Sequence, residues 1–303
     1  MHNMKKYMKV GLVHFMAYPQ TIKGDGPILE TLRKTSVDDY FDVVEITHIN
    51  GLEVRVQAKN ILAAAHLTVA FGGQPLLLIG GLNINDLDAS KRQKAVDVLK
   101  TGIDEAYEMG AVGFAFLSGK YDEAAKEQAF AALVKSTQEL CAYAQSKGSL
   151  EIVHEVFDYD VDKKSLVGPV AMAKCYAEEV KKKFKNFGLM IDLSHLPLLH
   201  ETPEEAIVPI KEHIVHVHIG NCVVRDSSAA CYGDQHPRFG FSGGENDINE
   251  VSHFLKVLLD IGYLNEQNPG ILSFEVKPCA GEDSDVVVAN AKRVLNRAWA
   301  MLK

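Results

Sequence analysis

The chain alternates between strand-like and helix-like patterns from one end to the other, and this alternation constrains its fold most strongly. Short apolar runs predict strands at Val10–Ala17, Val43–Ile49, Leu67–Phe71, Val112–Leu117, Glu151–Phe157, Leu189–Ser194, Val215–Ile219 and Ile271–Val276. Amphipathic segments after them predict helices at Ile28–Thr35, Val54–Ala65, Lys91–Met109, Ala124–Ser146, Val170–Phe184, Glu204–Lys211, Ile248–Ile261 and Val286–Leu302. Eight strand–helix units over 303 residues fit a (β/α)8 TIM barrel of the α/β class.

No Pro-, Gly- or Ser-rich linker divides the chain, so we expect residues 1–303 to form one domain. The main alternative is an open, doubly wound sheet. That fold would place a GxGxxG turn after the first strand, whereas the chain there reads Gly24-Asp25-Gly26-Pro27 and no such motif follows. The barrel is therefore the preferred prediction.

Composition narrows the choice of partners and compartment. The net charge of −8 gives no general attraction for nucleic acids or anionic membranes. No apolar run approaches the ~18 residues of a membrane-spanning helix, and the N-terminus lacks a signal-peptide cleavage pattern. The five cysteines form no CxxC pair. This pattern predicts reduced thiols and a cytoplasmic protein.

Four strand-like runs in the second half each carry one carboxylate or imidazole near the C-terminal end. The runs EIVHEVF, LMIDLSH, IVHVHIG and ILSFEVK contribute Glu155, Asp192, His218 and Glu275, respectively. A buried strand tolerates such a group only if it is paired or binds a metal. Parallel strands would bring the four groups together at one end of the barrel. The sequence therefore predicts a divalent-metal site.

Strand periodicity supports this site, because each of the four residues shares a face with inward-pointing neighbours two positions away. Three carboxylates and one imidazole suit Mn²⁺, Mg²⁺ or Co²⁺, and also Zn²⁺. Further polar residues surround the expected site. His195 is a candidate base, substrate ligand or additional metal ligand, and Lys277 shares the face of Glu275.

One long segment, residues 223–248, has neither helical nor strand periodicity. Long loops in compact domains are usually functional, and this one would leave the seventh strand at the face where barrel active sites lie. We expect a lid or specificity wall in which His236 and Arg238 contact substrate. Asp234 and His236 are spaced so that both can point at one centre. The alternative is a contact between subunits.

The motifs HEVFD, IDLSH, HVHIGN and SFEVK resemble those of the xylose-isomerase-like TIM-barrel superfamily, the sugar-phosphate isomerase and epimerase group. The resemblance spans nearly the whole chain. It implies that the residues matching Glu155, Asp192, His218 and Glu275 bind Mn²⁺ or a similar ion. It also implies that the two glutamates move protons at a substrate carbon, and that His195 contacts substrate.

Two other members of the superfamily offer comparisons. The Asp234-Gln235-His236 pattern resembles the D-x-H pair of AP endonucleases, but the early-strand histidines of those hydrolases are only partly matched, by His66. The stretch from Tyr232 to Gly240 resembles the barrel subunits of C-glycoside deglycosidases, which pair with a small β-rich subunit.

The predicted enzyme is a sugar isomerase or epimerase that abstracts a proton next to a carbonyl, aided by a divalent metal. If a group leaves from the neighbouring carbon instead, the same site makes a lyase that cleaves 3-oxo-glycosides. Two further functions stay open at this point, an AP-endonuclease-like metal hydrolase and a non-catalytic sugar-binding barrel. The expected partners are a small-molecule sugar or glycoside and either a second copy of the chain or a small subunit.

Overall fold

A computed structural model describes residues 3–279 and 281–302, and it contains a closed barrel of eight parallel strands. The strands are β1 Met8–Val13, β2 Val43–Ile46, β3 Thr68–Gly72, β4 Gly113–Leu117, β5 Glu151–Glu155, β6 Phe187–Asp192, β7 Ile214–Ile219 and β8 Gly270–Phe274. Each strand pairs with the next along the chain, and β8 pairs with β1. The prediction of a TIM barrel is confirmed.

Helices connect the strands around the outside. They are α1 His14–Ala17, α2 Ile28–Ser36, α3 Leu52–Ala64, α4 Gln74–Gly80, α5 Ala89–Met109, α6 Lys126–Lys147, α7 Val170–Lys181, α8 His195–Leu199, α9 Pro203–Ile207, α10 Ile248–Asp260 and α11 Ser284–Met301. Short 3-10 turns cover 4–6, 19–21, 123–125 and 208–210. Among the described helices, none has the length and apolar character needed to cross a bilayer.

Part of the barrel interior is apolar beneath its carboxyl end, on the side of β4 to β6. Ala115, Val153 and Met190 form a small buried cluster one layer below the predicted metal ligands. On β1, a side chain at Gly11 would lie 2.1 Å from the Ser273 hydroxyl, so only glycine lets these strands meet at this level. Side chains thus fill the interior at this level, and a cavity lies at the carboxyl ends of the strands.

Strand register determines which polar residues meet. Asp192 is the direct partner of His218 across β6 and β7, and Glu155 is the last residue of β5. Glu275 follows β8 immediately and donates its backbone N–H to Ile219 at 3.0 Å. The carboxyl ends of β5 to β8 therefore present these four side chains at one level.

Two predictions from the sequence need correction. The strand predicted at Val10–Ala17 ends at Val13, and residues 14–17 form one helical turn. Short apolar runs do not distinguish the two conformations by periodicity alone. Not all thiols are reduced either, because Cys231 and Cys279 are joined by a disulfide. The fold brings these residues to a Cα–Cα distance of 6.7 Å although they are 48 positions apart.

Candidate metal centre

The four predicted metal ligands converge at the carboxyl end of the barrel. Ligand atoms from Glu155, Asp192, His218 and Glu275 all lie within 4.8 Å of one another, and all four residues are buried. The Nδ1 atom of His218 lies 2.7 Å from Glu275 Oε2 and 3.5 Å from Glu155 Oε1. Such spacing allows one ion to contact all four groups.

Two carboxylate oxygens in this group indicate that a cation belongs there. Over the described residues, Glu155 Oε1 and Asp192 Oδ2 are buried and have no hydrogen-bond partner. The other oxygen of each carboxylate is held: Gln74 Nε2 donates to Glu155 Oε2 at 2.7 Å, and the Ser194 N–H donates to Asp192 Oδ1 at 2.7 Å. Leaving a buried carboxylate oxygen unpaired is unfavourable. The residues present therefore fit a divalent ion.

The electrostatics of the group agree with this conclusion. Burial raises the pKa of Asp192 despite the nearby histidines. Burial alone would lower the pKa of His218, but Glu45 and Glu275 raise it well above its usual value. A proton on His218 thus offsets part of the negative charge, and a bound metal would take over that role.

Glu45 is a further buried carboxylate of the site and is not among the residues predicted from the sequence. It lies on β2, is 2% exposed, and accepts hydrogen bonds from Nε2 of His216 at 2.7 Å and of His218 at 3.1 Å. Burial alone would raise its pKa, yet the two imidazoles hold it well below the usual value. Because Glu45 binds Nε2 of His218, it turns Nδ1 toward the other three ligands. This is the usual arrangement of a carboxylate behind a metal-binding histidine.

A second polar group borders the first and comes partly from the long loop. Asp234 Oδ1 lies 3.1 Å from His195 Nε2 and 2.8 Å from His236 Nε2. Asp234 Oδ2 lies 2.8 Å from Lys163 Nζ. Asp192 shares the group, with Oδ2 lying 3.8 Å from His236 Nδ1. The predicted loop residues Asp234 and His236 are therefore part of the site.

The carboxylates of this second group favour the protonated forms of His195 and His236. Burial alone would lower the pKa of both rings, but Asp234 raises that of His195 to about 10, and Glu275 with Asp234 raises that of His236 to about 9. The carbonyl of Val156 accepts from His195 Nδ1 at 2.8 Å, which leaves Nε2 facing Asp234. His195 is thus held rigidly beside the predicted metal ligands.

Arg238 and Lys277, two other residues considered for substrate binding, differ in whether they line the cavity of the site. The Arg238 guanidinium donates to Glu282 at 2.8 Å and to the Gly240 carbonyl, and it does not line the cavity formed by the described residues. Lys277 does line that cavity and donates to Gln235 Oε1 at 3.1 Å.

A cavity of about 180 Å³ opens above three of the predicted metal ligands, Glu155, His218 and Glu275. Its polar side is formed by Glu45, Gln74, Glu155, Lys163, His218, Asp234, Gln235, His236, Glu275 and Lys277. Its apolar side comes from Val13, Phe15, Met16, Ile22, Pro75, Leu78, Ile79 and Phe157. The volume is below the ~300–1,000 Å³ of pockets for drug-sized ligands, so the enclosed part suits a small molecule.

Residues 39–296 match the family model described as xylose isomerase-like TIM barrel. The chain belongs to this family. The sequence resemblance to the superfamily is therefore confirmed over most of the chain. Comparison with curated protein sequences gave no significant match.

Solved structures of similar shape include several proteins named as epimerases. A D-tagatose 3-epimerase-like protein matches this xylose isomerase-like barrel with a TM-score of 0.70 and 18% identity, over 98% of this chain and 100% of its own. A D-psicose 3-epimerase gives 0.69 and 15%, over 97% of each chain. The 3-keto-D-glucoside 4-epimerase of E. coli gives 0.67 and 16%, over 95% of this chain and 99% of its own. Identities this low establish the shared fold and not the activity.

The early-strand histidines of an AP-endonuclease-like site do not reach the metal centre in this xylose isomerase-like barrel. His66 precedes β3 and lies at the amino end of that strand, on the face opposite the predicted ligands. β4 ends at Leu117, and Ser118 and Gly119 follow it. His14 is buried at the start of α1, where its Nε2 lies 2.8 Å from the Thr31 hydroxyl.

Proposed function

We propose that this protein is a divalent-metal-dependent sugar isomerase or epimerase that abstracts a proton from the carbon next to a carbonyl. The observation that carries the proposal is the convergence of Glu155, Asp192, His218 and Glu275, two of whose buried carboxylate oxygens have no hydrogen-bond partner among the described residues. Oxygen-rich donor sets of this kind suit Mn²⁺ first, and Mg²⁺, Co²⁺ or Zn²⁺ would also fit. The epimerase names of proteins with similar folds support the same class.

Glu155 and Glu275 are the proposed bases. They come from β5 and from the end of β8, on either side of the ligand group, so each can address a different face of a bound sugar. Gln74 fixes one oxygen of Glu155 and leaves the other free to take a proton. A bound divalent ion would supply Lewis-acid stabilisation of the charge that develops on the carbonyl oxygen.

The second polar group is proposed to position the sugar. His236 lines the cavity above the predicted ligands, and the ring of His195 lies 5.7 Å from it, outside the cavity lining. Both rings point Nε2 at Asp234, so two rigid, positively charged rings lie on this side of the site. Such rings favour substrate oxygens that carry negative charge in the transition state. His195, the reserve candidate for the base, would have to lose this proton before it could accept one from the substrate.

A lyase that cleaves 3-oxo-glycosides by elimination is the second candidate. It is supported by the position of His236, whose loop brings an acidic N–H beside the predicted ligands. A protonated imidazole there could donate its proton to a leaving group. Both candidates begin with loss of the same substrate proton and differ in the next step.

The test is incubation with Mn²⁺ in D₂O of D-fructose and of a 3-oxo-glucoside, read by mass spectrometry. We expect deuterium at one carbon of recovered substrate or product, and unsaturated sugar with free aglycone if elimination follows. Glu155→Gln and Glu275→Gln should slow exchange by ~10²–10⁴-fold, the usual range for a general base. Glu151→Gln, at the opposite end of β5, is the matched control and should not slow it.

Metal content of each variant must be measured first, because both glutamates are also proposed ligands. Turnover in which hydrogen moves between carbons without solvent label would indicate a hydride shift and refute proton abstraction. A protein that binds no metal and is not stabilised by any sugar would be a non-catalytic barrel.

A further inference from the structure

The disulfide between Cys231 and Cys279 lies at the edge of the candidate site. Cys231 belongs to the long loop, three residues before Asp234, and Cys279 follows Glu275 by four residues. The bond therefore joins the loop that borders the metal centre to the strand end that carries one of the predicted ligands. This position allows the bond to hold the loop in the site.

The loop segment that leads into Cys231 is exposed and weakly attached. Residues 225–228 are all exposed. The hydrogen bonds described for residues 226–232 stay inside this segment, from the Ala229 N–H to the Asp226 carbonyl and from the Tyr232 N–H to the Ala229 carbonyl. Segments with exposed backbone and few outside partners open at a low cost in free energy. Within the described contacts, the disulfide is therefore the strongest restraint on this segment.

The backbone of the loop is held away from its preferred conformation. Cys231 has a φ angle of 60° and His236 one of 51°, in the left-handed region that residues with a side chain avoid. Such conformations persist only where the surrounding contacts impose them. We therefore expect the loop to relax when one of these contacts is removed.

Three backbone hydrogen bonds beyond Cys231 hold the site residues of the loop. They are the bonds from the Gly233 N–H to the Val223 carbonyl at 2.8 Å, from the Asp234 N–H to Asp162 Oδ2 at 3.0 Å, and from the Lys277 N–H to the His236 carbonyl at 2.7 Å. Each bond protects an amide hydrogen from exchange with solvent. These amides therefore report whether Asp234 and His236 are in place.

The disulfide can be reached by a reductant, because Cys231 is partly exposed, whereas Cys279 is only 6% exposed. An external thiolate would attack Sγ of Cys231, form a mixed disulfide and release Cys279 as a thiolate, which takes up a proton. A second external thiol would then attack the mixed disulfide and release Cys231. Two external thiols are thus oxidised to one disulfide, and the protein gains two electrons and two protons.

The remaining cysteines fit a protein that meets such thiols. Cys141, Cys175 and Cys222 are free, and Cys175 is exposed. An exposed, unpaired thiol is typical of proteins in a reducing compartment. Disulfides in such compartments are usually transient and serve catalysis or redox sensing.

We infer that the Cys231–Cys279 disulfide is a reversible redox switch that determines whether Asp234 and His236 are held in the candidate site. The co-reactant is a small thiol of the glutathione class. In the oxidised protein the loop is fixed beside the metal centre. In the reduced protein the loop loosens, and Asp234 no longer holds Lys163 and the two histidines. The inference rests on the proposed function for its effect on turnover, but not for its effect on the loop.

The experiment compares hydrogen exchange of the wild type after equilibration with oxidised or with reduced glutathione, read by mass spectrometry. Alkylation of free thiols shows the state of the bond in each sample. In the reduced protein, peptides covering residues 223–236 and Lys277 should exchange roughly tenfold faster or more, because a cross-link over this length restrains the open state by at least that factor. Peptides that cover β5 should exchange equally in both samples, and oxidised glutathione should restore slow exchange.

Two variants serve as controls. Cys231→Ser/Cys279→Ser should exchange fast in both samples, with circular dichroism to verify folding. Cys175→Ser removes an exposed free thiol on α7 and should respond as the wild type does. If the double variant does not fold, the two wild-type samples still decide. Equal exchange of the loop in the oxidised and reduced protein, or a bond that reduced glutathione leaves intact, would overturn the inference.

The same two wild-type samples separate this inference from the proposed function. If loop exchange responds to reduction in a protein that acts on neither D-fructose nor a 3-oxo-glucoside, the switch stands and the proposed function fails. If a sugar takes up solvent deuterium equally fast in both redox states, the proposed function stands and the switch fails.

Discussion

Replacing Glu45 with glutamine tests whether His218 binds a metal through Nδ1. Glu45 is almost isosteric with glutamine, so Glu45→Gln keeps the packing inside the barrel and removes one negative charge. The glutamine oxygen can still accept a hydrogen bond from His216 or His218, but its amide group would then face the remaining N–H donor. The ring of His218 would be held less firmly, and its Nδ1 atom would be a weaker ligand.

The size of the effect follows from the contacts of Glu45. It accepts from His216 at 2.7 Å and from His218 at 3.1 Å, and both bonds are charge-assisted. A hydrogen bond to a charged group contributes ~1.5–3 kcal/mol and a neutral one about 1 kcal/mol. Loss of this difference at His218 amounts to about 0.5–2 kcal/mol, or roughly 2- to 30-fold in metal affinity. This range overlaps the ~10–100-fold measured for outer-shell partners elsewhere.

Metal affinity should be measured by competition with a chelator at fixed pH, with circular dichroism to verify folding. Glu105→Gln is the matched control, because Glu105 is also a buried glutamate bonded to a histidine, His48, but lies on α5 away from the ligands. It should weaken stability and leave metal affinity unchanged. If Glu45→Gln binds metal as tightly as the wild type, Glu45 does not position His218, and the argument for Nδ1 ligation fails.

Three more predictions can be tested independently. Asp192→Asn should lower metal content and activity together, and elemental analysis that finds full occupancy would exclude Asp192 as a ligand. Glu105 raises the pKa of His48, although partial burial opposes it, so their pairing should stabilise the protein fully below about pH 6.5 and lose its effect as pH rises through the folded-state pKa. Melting temperatures of wild type and His48→Gln should therefore differ more at pH 6 than at pH 9, and a constant difference would contradict this. Cys231→Ser should lower the free energy of unfolding by ~2–4 kcal/mol, because the bond to Cys279 closes a loop of 48 positions; denaturant midpoints equal to wild type would show that the bond contributes nothing.

The barrel and the convergence of the four predicted ligands could be predicted because two simple periodicities determine them. Alternation of strand and helix signals fixes a parallel arrangement, and in a parallel barrel all strands end at one face. A charge inside an apolar run is costly, so Asp192 and His218 were conspicuous in the sequence. Their direct pairing across β6 and β7 follows from the same logic. The roles of these residues in binding and catalysis remain predictions.

What the sequence did not reveal depends on contacts between distant segments. Glu45 carried the same signal as the four ligands, a carboxylate within the apolar run VVEI, but its partners lie 171 and 173 positions away. Arg238 had the residue type expected for substrate binding, yet nearby Glu282 holds its side chain. Cysteine spacing does not indicate the disulfide partner of Cys231, because the packing of two loops brings Cys279 next to it.

The division of the cavity between two stretches of chain has a consequence for how such a protein can evolve. The predicted ligands lie between residues 155 and 275, whereas all of the apolar lining residues except Phe157 lie between residues 13 and 79. Mutations in the segments 15–27 and 75–80 could change which compound is admitted without altering the metal chemistry, provided that Glu45 and Gln74 are kept. Single substitutions in the first third of the chain could therefore change substrate specificity. A mutant library confined to those two segments would test this.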